Sequence, residues 1–585
     1  MQEMRRYRCL SDLLFSLPQA WHGRPLLYDR TEDGAWRSHS IQAVQQAVRR
    51  LACWLERRGI RPGDRIGLLA ANAPAWCIAD FAILHLGAVT VPAYTTDPAE
   101  RVTEQFRDAG CRLIIVDPGT QQEKLHALRD LPHLSTEAIP RITADATLDP
   151  GPAIPPPGRD DLATLIYTSG TTGASKGVML THGNILADIA AARAAVPVGP
   201  RDCMLSFLPL SHAFERSVGQ FLAVAAGCRI AYAESITTLE RDMTEVRPTI
   251  LLTVPRLLER IHTAVLRRLA ARPAVARRLF DTAQRLGLRR SRHRLPPLLL
   301  PCWWLLDRVV HRPIRARMGG RLRLLVCGGA PLDPEIGRFA LAAGIPLLPG
   351  YGLSECAPVV SVNRPGAVDP ESVGPPLPGV ELRIADDGEL MIRGAMVMRG
   401  YWRRPEETAR VRDPEGWLHS GDLGFLDEKG HLHIRGRKKE LIVLSNGENI
   451  APVPIEQRIA RDPCIDQVLI AGDGRPWLIA LVVCSAEGRS RMAREGVKDA
   501  AAWMTERIDR TAAPHLPHYA RIRGCLICDV PWSQDNGLCT PTGKYRRGRI
   551  LARHRREIDA LYARIAHTPP PRRGGGDGHT GDEGG

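Results

Sequence analysis

Apolar runs of strand length alternate with amphipathic stretches along the first two-thirds of the chain. One amphipathic stretch, "IQAVQQAVRRLACWLERRG" at 41–59, predicts a helix with one apolar face. Apolar runs that predict buried strands occupy 64–70, 111–117, 162–167, 228–234, 249–255 and 322–329. Strands that alternate with helices are typical of parallel sheets whose faces are covered by helices. The pattern therefore predicts an α/β fold for this part of the chain.

The pattern changes after about residue 370. The segment "GVELRIADDGELMIRG" at 379–394 predicts a hairpin of two strands about the turn Asp386-Asp387-Gly388. The segment at 430–450 predicts a strand, a charged hinge, a second strand and a turn. A smaller α+β domain is expected to follow, and a tail rich in Pro and Gly predicts disorder at the C-terminus.

Composition indicates how many domains the protein has and in which cellular compartment it works. The chain has 585 residues, 44% hydrophobic and 24% charged, as in soluble globular proteins of more than one domain. No apolar run reaches the roughly 18 to 20 residues of a membrane span, and no secretory signal is expected. The 14 cysteines are scattered, and Cys525 and Cys528 lack the second pair of a zinc site. Buried, reduced thiols are expected instead, which suits the cytoplasm.

The net charge of +15 is unevenly distributed. The stretch 256–317, termed the basic segment, has 16 Arg, no Lys and three acidic residues, a net charge of +13. Its run "LPPLLLPCWWLL" at 295–306 places Trp303 and Trp304 beside arginines, which suits an anionic membrane surface. The alternative is a solvated helix pair that joins the core through Ile261, Val265 and Leu269. Nucleic acid would also suit this charge, but no nucleic-acid motif accompanies it, so none is expected.

A loop rich in glycine and hydroxyl residues directly follows one of the predicted strands. In "YTSGTTGASKGVML" at 167–180, hydroxyl donors and flexible glycines lead to Lys176. These groups suit a bound polyphosphate. The Walker pattern G-x-x-x-x-G-K-[ST] does not fit, because Ser175 precedes the lysine and Gly177 follows it. A flexible linker is the alternative, but linkers rarely follow a buried strand so tightly.

Seven further motifs follow this loop in an order that points to one superfamily. They are "LPLSHAFER" at 208–216, "CGGAPL" at 327–332, "GYGLSECAP" at 350–358, "MRGYWRRPEET" at 398–408, "GWLHSGDLGFLDEKG" at 416–430, "GRKKELIVLSNGENIAPVPIE" at 436–456 and "TPTGK" at 540–544. The chain resembles the adenylate-forming superfamily, which includes acyl- and aryl-CoA synthetases, peptide-synthetase adenylation domains and beetle luciferases. The resemblance covers nearly the whole chain. Its nearest branch is the long-chain fatty acyl-CoA synthetases.

The resemblance implies a fold and a reaction. It implies an α/β protein with a large N-terminal adenylate-forming domain at 1–437, made of stacked sheets and helices plus a small β-barrel-like subdomain. A mobile α+β domain at 438–567 and a disordered tail at 568–585 would follow. The enzyme would join a fatty acid, expected to be long-chain, to the α-phosphate of ATP, release pyrophosphate, and pass the acyl group from AMP to coenzyme A. Charge neutralisation and positioning would dominate catalysis.

The resemblance also implies which residues bind the nucleotide. The phosphates would contact the glycine-hydroxyl loop, adenine would lie on Tyr351, and Asp422 would accept hydrogen bonds from the ribose hydroxyls. Ser354 stands where the family usually has Thr, and Ser175 where it usually has Pro; neither removes a ligand. The expected nucleotide-binding residues are Thr168, Ser169, Gly170, Thr171, Thr172, Gly173, Lys176, Gly328, Gly329, Ala330, Pro331, Gly350, Tyr351, Gly352, Ser354, Asp422 and Arg437.

Three residues are implied to act on the reacting groups. Glu355 would be a catalytic residue and the ligand of Mg²⁺, which prefers few carboxylates together with phosphate oxygens. Lys544 would enter between the carboxylate and the α-phosphate and offset the negative charge there. His212 would orient the acid or gate the tunnel, and the alternative for it is a hydrogen-bonded core histidine.

The transfer to coenzyme A would use the small domain. The resemblance implies that this domain rotates about Lys439, two residues after Arg437. A turn would then face the coenzyme A tunnel, where a glycine leaves room for the pantetheine arm. The expected tunnel residues are Ser445, Asn446, Gly447 and Glu448.

Two other functions stay open at this level. One is an acyl-AMP ligase that serves a carrier protein, although no carrier domain follows the small domain. The other is a non-catalytic protein that binds a membrane surface through the basic segment. Retention of Glu355, Asp422, Arg437 and Lys544 favours the enzyme. Its expected partners are the fatty acid, ATP and coenzyme A, its expected location is the cytoplasm or the inner face of the membrane, and its oligomeric state is left undetermined.

Overall fold

The computed structural model describes residues 6–119, 121–149, 151–168, 175–512, 516, 520–540 and 543–566. Within them the strands are β1 Pro25–Arg30, β2 Trp36–Ser40, β3 Arg65–Leu69, β4 Val89–Pro92, β5 Cys111–Val116, β6 His133–Ser135, β7 Leu162–Thr168, β8 Lys176–Thr181, β9 Cys203–Ser206, β10 Arg229–Tyr232, β11 Ile250–Thr253, β12 Leu324–Cys327, β13 Leu347–Gly352, β14 Val359–Val362, β15 Glu381–Ile384, β16 Glu389–Arg393, β17 Gly400–Tyr401, β18 Leu418–Leu426, β19 Leu432–Arg437, β20 Ile442–Val443, β21 Asn449–Ile450, β22 Ile465–Ala471, β23 Leu478–Cys484 and β24 Ile522–Ile527.

The helices of the same residues are α1 Asp12–Phe15, α2 Ile41–Arg57, α3 Pro74–His85, α4 Ala99–Ala109, α5 Gln122–Ala127, α6 Ile139–Ala144, α7 His182–Ala195, α8 Ala223–Ala225, α9 Leu239–Val246, α10 Pro255–Ala270, α11 Ala274–Ser291, α12 Leu300–Leu306, α13 Arg312–Arg317, α14 Pro334–Ala342, α15 Pro405–Val411, α16 Pro452–Ile459, α17 Ala486–Arg494, α18 Ala500–Ala512, α19 Arg547–Arg553 and α20 Arg555–Ala566. Two π-helical segments, Glu215–Leu222 and Asp307–His311, precede α8 and α13.

The predicted elements are present. The six apolar runs form β3, β5, β7, β10, β11 and β12, the hairpin forms β15 and β16, and the amphipathic stretch forms α2. In α2 the side chain of Ser40 caps the first turn by accepting a hydrogen bond from the Ala43 N–H at 3.2 Å. Its buried residues Val44, Val48 and Leu51 recur at helical spacing, so one face joins the core.

The chain divides into two compact units, one of Met1–Lys439 with Thr540–Lys544 and one of Glu440–Cys539 with Tyr545–Gly585. The first unit contains two large mixed sheets. Their strand orders are β14-β13-β12-β11-β9-β10-β1-β2 and β17-β8-β7-β4-β3-β5-β6, with parallel pairing at the centre and antiparallel strands at edges. A small antiparallel sheet, β15-β16-β18-β19, completes this unit as the expected β subdomain.

Helix α3 lies between the two large sheets. It contacts β1 of one sheet and β3 and β4 of the other. Apart from Asp80 and His85 its residues are apolar, and all of them from Pro74 to Leu84 except Ala75 are buried. A helix that is hydrophobic all round is stable only inside a core, so α3 joins the two sheets.

A buried ion pair crosses from α3 to the π-helical segment Glu215–Leu222. The Arg216 guanidinium donates from Nε and Nη2 to the two carboxylate oxygens of Asp80, and from Nη1 to Thr164 Oγ1 at 2.7 Å. The Thr90 hydroxyl and the Gln220 amide also donate to Asp80, at 2.8 and 2.9 Å. Both charged side chains are almost completely inaccessible to solvent. The network joins α3, β4, β7 and the π-helical segment at one point.

The second unit has its own core. Strands β22, β23 and β24 form a three-stranded sheet, with β23 buried along its length. Apolar side chains of α16 and α18 cover one face and those of α20 the other. Cys525 and Cys528 are buried and free, as expected.

Among the described residues, no helix has the length and apolar character needed to span a bilayer.

Replacing Arg216 with Met should lower the free energy of unfolding by about 3–5 kcal/mol, because Asp80 would stay buried without its charged partner. Urea and thermal unfolding measure the change. Arg37→Met is the control: the Arg37 side chain is 57% exposed and pairs with Asp29 at the surface, so a loss below about 1 kcal/mol is expected. Equal effects of the two substitutions would contradict a structural role for the buried pair.

Candidate functional site

The glycine-hydroxyl loop connects two paired strands of the first unit. Strands β7 and β8 are antiparallel, and Thr168 lies opposite Lys176 in their register. The two residues that flank the loop, Thr168 and Lys176, are therefore neighbours in the sheet. The predicted residues Ser169, Gly170, Thr171, Thr172 and Gly173 lie outside the described residues.

Lys176 lies beside two side chains from a different motif. Its ammonium forms an ion pair with the Glu407 carboxylate and lies 5.2 Å from the centroid of the Tyr401 ring. The hydrogen bond from Lys176 holds the pKa of Glu407 below its usual value. The Tyr401 hydroxyl in turn donates to Glu355 Oε1 at 2.9 Å. Lys176 and Glu355, predicted from separate motifs, are thus brought together through Tyr401.

Sequence reasoning missed Tyr401 and Glu407 as parts of the site. Both lie in "MRGYWRRPEET", a motif that by itself assigns no role to either residue. Strand β17 pairs antiparallel with β8 and sets Tyr401 opposite Val178, two residues from Lys176 on the same strand. The Tyr401 hydroxyl and the Glu407 carboxylate were visible in the motif. That both lie beside Lys176 depends on the pairing of β17 with β8.

A second cluster joins Tyr351, Asp422 and Arg437. The Tyr351 hydroxyl donates to Asp422 Oδ2, and Arg437 Nε lies 3.0 Å from Asp422 Oδ1. Asp422 and Arg437 face each other across β18 and β19. Burial, with the nearby carboxylate of Asp422, raises the pKa of Tyr351 well above its usual value, so the phenol keeps its proton and donates it. Asp422 is buried, whereas Arg437 is exposed.

Two glycine turns, Gly328–Gly329 and Gly350–Gly352, lie side by side at the carboxyl ends of β12 and β13. These strands are parallel neighbours, and a Cβ on Gly328 would lie 3.7 Å from the carbonyl oxygen of Gly350. A Cβ on Gly352 would meet the Pro358 carbonyl oxygen at 2.1 Å, so glycine is required there. Gly329 has a φ of +82°, which also favours glycine. The predicted Ala330 and Pro331 follow it, and both are exposed.

The turn Ser354–Cys356 follows β13 directly and carries Glu355. The Met398 N–H donates to the Glu355 carbonyl oxygen at 2.8 Å, which fixes this turn against the segment that leads to Tyr401. Ser354 and Glu355 are partly buried.

His212 and Lys544 both belong to the first unit. His212 Nδ1 accepts a hydrogen bond from the Phe214 N–H at 3.2 Å, and its ring meets the Tyr94 ring edge-on at 6.5 Å. Burial lowers the pKa of His212 to about 4, and the positive charge of Lys544 acts in the same direction. His212 is therefore neutral at pH 7. It has the hydrogen bond expected of a core histidine, and it also lies within the electrostatic reach of Lys544.

Lys544 ends a short closed turn. The Thr540 N–H donates to the Lys544 carbonyl oxygen at 2.8 Å, and the Lys544 N–H donates to Thr540 Oγ1 at 3.0 Å. The Lys544 side chain is exposed. Although this turn is distant in sequence from His212, it belongs to the first unit.

The predicted hinge and tunnel residues are not part of these clusters. Lys439 is exposed and is the last residue of the first unit before Glu440 opens the second. The predicted tunnel residues form an exposed turn of the second unit between β20 and β21, closed by a hydrogen bond from the Gly447 N–H to the Leu444 carbonyl at 2.9 Å. Gly447 has a φ of +86°, and no atom would lie within 4 Å of a Cβ there. The turn comprises Ser445, Asn446, Gly447 and Glu448.

The first unit therefore offers a cation beside a hydroxyl and a carboxylate, a buried carboxylate acceptor beside two glycine turns, and a lysine near a neutral imidazole. A polyphosphate suits the first group, and hydroxyl groups of a ligand suit the acceptor.

Comparisons with known proteins cover both units. A family model described as AMP-binding enzyme matches residues 17–402, and one described as AMP-binding enzyme C-terminal domain matches 439–566. Long-chain-fatty-acid–CoA ligase FadD15 of Mycobacterium bovis is 34% identical over 569 residues, covering 92% of this chain and 94% of that protein. Long-chain-fatty-acid–CoA ligase 1 of Homo sapiens is 30% identical over 603 residues, covering 94% and 85%.

A solved structure shares the fold. The A domain of carboxylic acid reductase from Segniliparus rugosus, in complex with AMP and a co-purified carboxylic acid, superposes with a TM-score of 0.75. It is 21% identical, and 96% of each chain is covered. At this identity the likeness concerns the fold alone.

Replacing Glu407 with Gln should tighten binding of inorganic tripolyphosphate about two- to fivefold, because the carboxylate that competes for the Lys176 ammonium is removed. Isothermal titration calorimetry measures the affinity. Glu406→Gln makes the same charge change one residue away at an exposed position and should leave the affinity within error. Weaker binding by Glu407→Gln, or equal tightening in both variants, would contradict the assignment of Lys176 to a polyphosphate.

Proposed function

The chain belongs to the AMP-binding enzyme family, and we propose that it is an ATP-dependent acyl-CoA synthetase that adenylates a long-chain fatty acid and transfers the acyl group to coenzyme A. One observation carries the proposal for this chain: Lys176, Glu355, Asp422 and Lys544, which come from four separate motifs, all belong to the first unit. The identities of 34% and 30% to long-chain-fatty-acid–CoA ligases support the substrate class.

Lys176, Tyr401 and Glu355 would receive the triphosphate. Lys176 supplies a positive charge for the β- and γ-phosphates, with the Thr168 hydroxyl at the opposite end of the loop. The carboxylate of Glu355 fits a magnesium ion, because it is a hard oxygen ligand held in orientation by the Tyr401 hydroxyl and is partly exposed. A bound magnesium ion would supply charge neutralisation for the phosphates.

Asp422 and the glycine turns would hold the nucleoside. The two oxygens of Asp422 are oriented by Tyr351 and Arg437, so the carboxylate can accept hydrogen bonds from ribose hydroxyls without reorganising. Each such charge-assisted bond is worth about 1.5–3 kcal/mol. Gly328 and Gly350, which lie close together, would line a slot for the adenine base beside Tyr351.

Adenylation would form a bond between a carboxylate oxygen of the acid and the α-phosphorus, while the bond from that phosphorus to the bridging oxygen of pyrophosphate breaks. Lys544 would offset the negative charge of the two approaching groups. His212 is neutral at pH 7, so it would position the acid through hydrogen bonding and shape rather than through charge.

Thioester formation would use the second unit. The sulfur of coenzyme A would attack the acyl carbonyl carbon, and AMP would leave with the bridging oxygen. We assign the hinge to Lys439, where the first unit ends, and the tunnel to the turn Ser445–Glu448. The open space around Gly447 suits the close passage of a pantetheine arm.

We also propose that the enzyme works in the cytoplasm, where ATP and coenzyme A are available and thiols stay reduced. All fourteen cysteines are free, and thirteen of them are buried, which agrees with that compartment. A long-chain acid partitions into lipid, so contact with the inner face of the membrane would bring the enzyme to its substrate.

Pyrophosphate release should be fastest with long-chain acids and should require coenzyme A for sustained turnover. The measurement uses ATP and Mg²⁺ with acids from acetate to C18 and with aromatic acids, each with and without coenzyme A. Release that stops after one turnover despite coenzyme A would identify a carrier-protein acceptor instead. No release with any acid would contradict the enzymatic function.

Replacing Lys544 with Ala should reduce adenylation about 100- to 1,000-fold, because a preorganised charge at the reacting centre is lost. Thioester formation from synthetic acyl-AMP and coenzyme A should be spared. Lys498→Ala removes an exposed lysine of the second unit and should leave both half-reactions unchanged. Equal loss of both half-reactions in Lys544→Ala would contradict the specific role of Lys544.

A further inference from the structure

The basic segment folds into α10 to α13, and α10 and α11 each carry buried residues. In α11, Phe280, Ala283 and Leu286 are buried. A Cβ on Gly287 of the same helix would lie 2.1 Å from the Ala342 carbonyl oxygen, so α11 packs closely on α14. In α10, Leu258 is buried, whereas Ile261, Val265 and Leu269 are only partly buried.

The helical stretch 297–311, which contains α12, is apolar on both sides. One stripe, made by Leu299, Trp303, Leu306 and Val310, packs on Ala283 and Leu286 of α11. The other stripe faces solvent: Leu298 is 93% exposed, Leu305 59% and Val309 63%, at a spacing that repeats on a helix, with Trp304 beside them at 60%. A helix apolar on all sides is normally covered all round.

Exposed apolar side chains are concentrated in this segment. Of the thirteen large apolar side chains that are exposed in the described part of the chain, eight belong to the basic segment. Exposed apolar patches of this kind mark interaction surfaces. Five of the eight, Leu298, Leu300, Trp304, Leu305 and Val309, form what is termed the Trp304 patch.

The positive charge around the Trp304 patch is largely uncompensated. Fifteen of the sixteen arginines are exposed. Among the described residues, only Arg315 and Arg317 of this segment form ion pairs, with Asp307 and Glu240. The Arg308 guanidinium lies over the Trp304 ring, 5.8 Å from its centroid.

A pocket of about 490 Å³ lies on α11 and the turn after it. Its charged lining comes from Arg285, Arg289, Arg292 and Arg294, and Thr282 also lines it. Several guanidinium groups facing one cavity suit a phosphate-bearing head group.

We propose that the basic segment is a docking surface for an anionic phospholipid bilayer, with the Trp304 patch in the bilayer interface and the arginine pocket on lipid phosphates. A bilayer would complement both the positive charge and the apolar patch. Its anionic head groups would neutralise the arginines, and the region where head groups meet acyl chains would cover the tryptophan and leucine side chains. Nucleic acid would leave the apolar stripe exposed to water. The proposal does not depend on the enzymatic activity.

Vesicle co-sedimentation tests the proposal on the full chain. Wild type should bind vesicles of phosphatidylglycerol and phosphatidylcholine at least about tenfold more tightly than phosphatidylcholine alone, and raising the salt should weaken binding. The double variant Trp304→Ser/Leu305→Ser should bind the anionic vesicles at least about tenfold more weakly. The control Ile236→Ser/Val530→Ser removes side chains that are 62% and 51% exposed elsewhere and should bind as wild type does.

Cys302 offers a second readout on the same face. It is the exposed cysteine of the fourteen, so a thiol-reactive, polarity-sensitive fluorophore should label it selectively. Its emission should shift to the blue with anionic vesicles. Pyrophosphate release with a short soluble acid should stay unchanged in the Trp304→Ser/Leu305→Ser variant, which separates docking from chemistry.

Three results would overturn the proposal. The first is that wild type does not bind anionic vesicles, and the second is that the Trp304→Ser/Leu305→Ser substitution leaves their affinity unchanged. The third is a dimer, seen by sedimentation velocity, that this double substitution dissociates, in which case a second copy of the chain covers the patch.

Discussion

A buried ion pair between Asp80 and Arg216 fixes the two segments on which the candidate site depends. Arg216 lies on the π-helical segment that begins three residues after His212, and it also donates to Thr164 on the strand that ends at Thr168. Removing either charge would leave the other buried and unpaired, which is far more costly than losing a surface pair. The strand that leads into the glycine-hydroxyl loop and the segment that follows His212 are therefore anchored to one polar point between the two large sheets.

Around that anchor, the site holds its charges in pairs before any ligand arrives. Glu407 neutralises Lys176, and Arg437 neutralises Asp422. A triphosphate would replace the carboxylate at Lys176, and ribose hydroxyls would join the donors already at Asp422. In the unliganded protein this arrangement avoids isolated charges, which would be unfavourable. At Lys176 an anionic ligand would take the place of the Glu407 carboxylate.

The sequence specified local features well and non-local ones poorly. Apolar runs located the strands, and Glu355 and Asp422 were predicted as site residues because the motifs around them resemble those of the adenylate-forming superfamily. Tyr401 and Glu407 could not be placed, because their neighbour depends on the pairing of β17 with β8, which spans more than two hundred residues. The run at 295–306 showed that apolar residues were present, but only the packing on α11 shows which stripe is covered and which is exposed.

The proposed reaction requires that the carboxylate of the acid attacks the α-phosphorus of ATP. Turnover of a long-chain acid labelled with ¹⁸O in both carboxylate oxygens tests this step directly by mass spectrometry of the products. We expect one ¹⁸O in AMP and one in the acyl thioester, with none in pyrophosphate. Label in inorganic phosphate alongside ADP, or AMP without label, would contradict this attack, because either result would require a different bond to form.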